Sequence, residues 1–212
     1  MKINNPKYIS YYVDENFEFI LAQVYACYKK MLIDYQFVED NENKIKNRLY
    51  KDYLNKQDVR NDLGLNEYLF KTETAFINEE YDEKGYSDIE VIDLKGSLRS
   101  TEAYYIIECK RLNGENSHYK QSLNNKYIQE GIKRFINEKY PTHHQVNGML
   151  AFITKRMDID ENSKCFSDLK RYMFINDFNF SYKSNHITES GKKITLYHLM
   201  LDFSSKINSS LN

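Results

Sequence analysis

Glu108 and Lys110, and Asp88 twenty residues before Glu108, are the residues of this chain best placed to do chemistry. The run AYYIIECKRL, residues 103–112, stays apolar until it abruptly becomes charged. Read as a strand, its alternation puts Glu108 and Lys110 on one face, with Ile106 behind them. Burying a carboxylate and an ammonium is costly unless they pair with each other or hold a metal. Asp88 lies in the run Gly85-Tyr86-Ser87-Asp88-Ile89. A hairpin centred near Leu98 would set Asp88 opposite Glu108, two oxygen ligands for one Mg²⁺. Phosphodiester hydrolysis needs an oriented water and relief of charge on the phosphate oxygens. Mg²⁺ between carboxylates supplies the charge relief, and a neighbouring lysine can orient the water. The plainer alternative is an ion pair of Glu108 and Lys110 on an edge strand.

These residues need a scaffold, and the hydrophobic pattern outlines one. Val13, Phe17, Ile20, Val24, Tyr28, Met31 and Tyr35 recur at helical spacing and predict a long helix over 13–35. A second helix is predicted over 41–56, with Ile45, Leu49 and Tyr53 inward, followed by a loop over 58–66. Strands follow at 67–78, 86–94 and 103–112, with a turn at 95–101. Residues 125–139 read as a helix, and GMLAFIT at 148–154 as a strand buried on both faces. Strand, helix and buried strand in succession make a parallel crossover. A helix over 161–174 and a hairpin of 178–187 with 194–203, closing near Gly191, complete the pattern. The predicted fold class is α/β: a mixed sheet flanked by helices, in one domain over residues 1–212. That domain has a helical part at 1–57, a core at 67–154 and a C-terminal helix and hairpin at 155–212.

Asp88, the gap to Glu108-x-Lys110, and the helix and buried strand that follow resemble the PD-(D/E)xK, or restriction-endonuclease-like, nucleases. The resemblance covers about Glu42 to Thr154, and Ser87 stands where that family has a proline. It implies a metal-dependent endonuclease in which Asp88, Glu108 and the Cys109 backbone carbonyl hold Mg²⁺, or Mn²⁺ in its place. Lys110 would position or activate water. The substrate would be nucleic acid, DNA ahead of RNA, in restriction or phage defence, with a homodimer or a larger defence complex as the working assembly. The competing reading is a non-catalytic nuclease-fold subunit that binds nucleic acid or a protein partner.

Further residues extend the site. With Val38, Ile45, Leu49 and Tyr53 defining a stripe, Glu42 falls on the face turned towards the sheet. A carboxylate there calls for a partner, and similar nucleases supply such a glutamate from a preceding helix, so Glu42 is expected as a catalytic metal ligand. Gln129 matches the glutamine that related enzymes place near the metal. Lys126, Lys133 and Arg134 share the helix face opposite Ile128 and Ile132, and with Arg111 they are expected to contact phosphates. An ordinary solvated face would look the same. His186 and His198 are expected to face each other across the C-terminal hairpin as structural histidines. No Gly-x-Ser-x-Gly elbow or phosphate-binding glycine loop occurs.

Bulk properties bound the rest. Net charge is −1, but residues 1–103 carry 14 basic and 20 acidic groups, and residues 104–212 carry 16 and 11. The second half is therefore the candidate basic face. Three widely spaced cysteines, Cys27, Cys109 and Cys165, argue for a reducing cytoplasm and against a disulfide framework. No run approaches the roughly 18 apolar residues of a membrane span, so no membrane partner is expected.

Overall fold

The computed structural model describes residues 6–77, 81, 83–115, 118–140, 144–166 and 168–207, with side chains from residue 14 onward. Helix α1 (Pro6–Asp34) begins on a proline, a residue suited to a first helical position, several residues before the apolar stripe does. Its Phe17, Ile20, Leu21, Val24, Tyr28 and Met31 are buried. Helix α2 (Glu42–Leu49) starts where the Asn41 side chain accepts from the Lys44 N–H, and it widens into a π turn at Tyr50–Leu54. The stretch expected as a loop at 58–66 contains a short helix, α3 (Gln57–Asp62), and closes on Gly64 at φ +68°.

Seven strands then form one mixed sheet in the order β1-β2-β3-β4-β7-β6-β5. β1 (Tyr68–Ile77), β2 (Glu83–Asp93) and β3 (Tyr104–Leu112) are an antiparallel meander, with the short helix α4 (Leu94–Ser97) between the last two. A helix of three pieces follows: α5 (Leu123–Tyr127), a π turn (Ile128–Ile132) and α6 (Lys133–Ile136). It leads into β4 (Val146–Ile153), parallel to β3, which is the expected crossover. Every residue of β4 is buried, as a strand covered on both faces requires. After α7 (Ile159–Ser163) and β5 (Lys170–Arg171), the hairpin of β6 (Ser181–Ile187) and β7 (Lys193–Asp202) joins the sheet with β7 parallel to β4.

The helix expected over 161–174 is a correction. Asp168 takes φ +73°, and Lys170 and Arg171 pair with Lys183 and Tyr182 of β6. Residues with helical spacing thus spend their backbone on an edge strand, a case of tertiary pairing overriding local pattern.

Two cores cover the sheet. α1 and α2 pack on the face carrying Ile89, Ile107, Cys109, Leu150 and Leu199. The α5–α6 helix and α7 cover the face carrying Ile106, Met149, Ala151, Leu196 and Met200. All three cysteines are free thiols. Among the described residues, no helix is long and apolar enough to cross a membrane.

Candidate functional site

The site forms where β2 parts from β3. Their pairing runs from Ile92 opposite Tyr104 to Ile89 opposite Ile107, a register centred on Leu98, and goes no further. β2 continues along β1 to Glu83, so the last residues of β3 keep a strand partner on the β4 side alone. Unpaired strand N–H groups need acceptors, and two carboxylates provide them. The Cys109 N–H donates to Asp88 Oδ2 at 2.8 Å, and the Arg111 N–H donates to Glu42 Oε2 at 2.9 Å. The opening of the ladder is thus what draws Asp88 and Glu42 to the same strand as Glu108.

Lys110 occupies the centre. Its Nζ lies 2.9 Å from Glu108 Oε1, 3.2 Å from Glu42 Oε1 and 3.8 Å from Asp88 Oδ2, and it donates to the Cys109 carbonyl at 2.9 Å. The three carboxylates and the carbonyl expected to hold a metal therefore gather around one ammonium. Gly131 makes room above it. A Cβ there would lie 2.5 Å from Met149 Cε and 3.5 Å from Lys110 Cγ, so the glycine lets the π turn lie over the lysine stem.

Three further groups complete the cluster. Lys46, one helical turn after Glu42, is buried and donates to Asp88 Oδ1 at 2.8 Å and to Glu73. Arg134 donates to Glu108 Oε1 at 2.7 Å and to the Tyr140 hydroxyl at 2.8 Å. That hydroxyl lies 2.8 Å from Glu108 Oε2 and 3.0 Å from the Tyr86 carbonyl. Charges alternate along the chain Glu73, Lys46, Asp88, Lys110, Glu108, Arg134.

Glu108 is fully enclosed. Burial, reinforced by the charge of Asp88, pushes its carboxyl up to about 7, although Lys110 and Arg134 pull the other way. Lys110 feels the same burial, which alone would lower it, but Glu108, Glu42 and Asp88 hold it above the usual lysine range. Lys46 is held up against burial in the same way by Asp88 and Glu73. The lysines therefore stay charged.

The other expected residues divide. Arg134 is drawn in to Glu108 instead of lying on an outer basic face, because the π turn changes the helical period on which that face was drawn. The Arg111 guanidinium is committed to Asp40, 2.7 Å from its carbonyl and 2.6 Å from its carboxylate. Lys126 is half-buried and Lys133 exposed, and neither makes an ion pair among the described residues. Gln129 is exposed on the π turn and makes no contact with the carboxylates among the described residues. His186 and His198 are not opposite each other. His198 pairs with Tyr182 and His186 with Ile194.

Among the described residues, no three His, Cys, Asp or Glu side chains stand grouped as a metal cage. The donor set nevertheless fits a hard cation. It consists of oxygen ligands, gathered here around the Lys110 ammonium. No protein-family model matches the chain, and no curated protein or solved structure matches it either.

Proposed function

We propose that this chain is a Mg²⁺-dependent endonuclease of the restriction-endonuclease-like kind, cutting nucleic acid, with DNA preferred, in restriction or phage defence. The observation that carries the reading is the convergence of Asp88, Glu42, Glu108 and the Cys109 carbonyl on the Lys110 ammonium. Asp88, Glu108, Glu42 and the Cys109 carbonyl would hold the ion. Mg²⁺ bound there would supply charge relief on the phosphate and an acidified water.

The remaining work falls to the protein's own groups. Lys110 is held protonated, so it acts as a donor that orients a water or a phosphate oxygen, not as a base. Arg134 lies beside Glu108 with about a quarter of its side chain exposed (28%), where its guanidinium can meet a phosphate oxygen. Lys46 fixes the Asp88 carboxylate from behind. The mixed antiparallel and parallel sheet, with the carboxylates at the β2–β3 parting, supports the family reading.

One observation favours a second reading, a non-catalytic subunit of the same fold. The alternating ion pairs satisfy one another without any added cation. Purified protein incubated with single- and double-stranded DNA and RNA, with Mg²⁺ or with EDTA, separates the two. Cleavage that requires Mg²⁺ supports the endonuclease. No cleavage of any substrate, together with no heat of Mg²⁺ binding by calorimetry, assigns the chain to the second reading.

A further inference from the structure

His198 lies at the same level of the sheet as Glu108 and on the same face, with Met149 between them. Two strand spacings put it roughly 10 Å away. It is fully buried and heads a chain of polar side chains that leads away from the site. Its Nδ1 is 2.7 Å from the Tyr127 hydroxyl, and its Nε2 is 2.8 Å from Ser184 Oγ. Ser184 Oγ is in turn 2.7 Å from His186 Nε2.

Counting protons fixes the direction of this chain. Tyr127 is completely buried, and among the described residues its hydroxyl has His198 as its one partner. Its proton must therefore go to Nδ1 or be left unpaired in an apolar interior. Burial keeps His198 neutral, so its own proton sits on Nε2 and goes to Ser184. Ser184 passes its proton to His186 Nε2. A neutral His186 then carries its remaining proton on Nδ1, a donor whose tautomer is set by three groups behind it.

His186 lines a cleft of about 570 Å³ at the start of β4 and β7, within the range of small-molecule sites. Asp14, His144, Gln145, Asn185 and Lys193 also line it. The His144 ring packs on Tyr105, with centroids 4.9 Å apart. Asn185 Oδ1 accepts from Thr195 Oγ1 at 3.1 Å, which leaves its NH₂ group for a ligand. Gln145 takes φ +59°, a left-handed backbone that is costly for a non-glycine residue and recurs at ligand clamps.

Two imidazoles, two side-chain amides, one ammonium and one carboxylate suit a planar, polar ring that bears an anion. We propose that this cleft binds a nucleoside phosphate, with His186 Nδ1–H and the Lys193 ammonium on the phosphate and the Asn185 and Gln145 amides on the base. The phosphate has two possible sources, a free mononucleotide or the 5′ end of a strand. Neither depends on the chain being a nuclease.

The test is a titration of the ¹⁵N-labelled full chain, without added metal, with AMP, GMP, CMP and UMP. A second arm uses short oligonucleotides with and without a 5′ phosphate. Saturable shifts at the amides of 144–146 and 185–195 are expected. Binding by mononucleotides assigns the free ligand, and binding only by phosphorylated strands assigns the strand end. Lys193→Ala and His186→Ala should each raise Kd about tenfold, the loss of one charge-assisted contact. Lys193 is exposed, so its variant keeps the test open if the histidine variant fails to fold. Ser184→Ala should redistribute the His186 tautomer in ring ¹⁵N spectra and weaken binding. No saturable shift with any probe, or an unchanged Kd in Lys193→Ala, overturns the proposal.

Discussion

Glu108 and His198 sit on one face of the sheet at one level, yet their surroundings are built on different physics. Around Glu108, Asp88, Glu42, Lys110, Lys46 and Arg134 bring full charges together at the place where two strands part. Around His198, Ser184 and His186 of the unbroken β6–β7 hairpin and Tyr127 of α5 form a neutral chain. The neutral chain closes its proton accounts and needs no further partner at the His198 end. The charged cluster holds Glu108 between two cations, Lys110 and Arg134, with the Tyr140 hydroxyl on its second oxygen. Full charges buried together at one place, unlike a neutral hydrogen-bonded chain, mark the first region as the candidate functional cluster.

The contrast breaks most visibly in activity. Asp88→Ala, Glu108→Ala and Lys110→Ala should each reduce Mg²⁺-dependent cleavage to background with circular dichroism unchanged, whereas Tyr127→Phe should cut at the wild-type rate. Any one of the three cutting normally removes that residue from the mechanism.

Next in size is a pH effect on stability without metal. The folded carboxyl of Glu108 titrates at about 7 against an ordinary 4.5, so the folded state binds the proton more tightly than the unfolded one. The associated stability is present below about pH 4.5 and is lost as pH rises through 7, on the order of 3 kcal/mol in total. Urea unfolding at pH 5 and pH 8 in EDTA should show this loss in the wild type and not in Glu108→Gln. Equal pH slopes in the two proteins would show that other groups compensate Glu108. The smallest effect belongs to the neutral chain. Ser184→Ala strands the His198 Nε2–H in the core and should cost about 1–3 kcal/mol, with little pH dependence above 5.

Sequence reasoning reached one of these regions far better than the other. Alternation along residues 103–112 and a register centred on Leu98 suffice to bring Asp88, Glu108 and Lys110 together, because a strand's period is two and admits few choices. Glu42 is legible as a carboxylate on an apolar stripe. Lys46 carries a signal that reasoning passed over. It follows Glu42 by one turn on the same face, between Ile45 and Leu49, and is equally buried among them. The basic helix face marked Arg134 as a phosphate contact but not as a partner of Glu108, and Tyr140 carries no signal. Their positions depend on the π turn and on a left-handed Glu138 at φ +49°, and neither leaves a mark in hydrophobic spacing. The His186–Ser184–His198 link was hidden because a hairpin pattern does not fix its register to within two residues.

The π turn at Ile128–Ile132 joins the two regions. Tyr127, just before it, is committed to His198, and Arg134, just after it, to Glu108. Adding one more residue between them would rotate everything downstream by roughly 100°. One anchor could then be kept, but not both. The span from 128 to 132 should consequently accept changes of residue at exposed Gln129 and Glu130 while rejecting an added residue. At those two positions its constraint on divergence is one of count, whereas at Gly131 it is also one of identity.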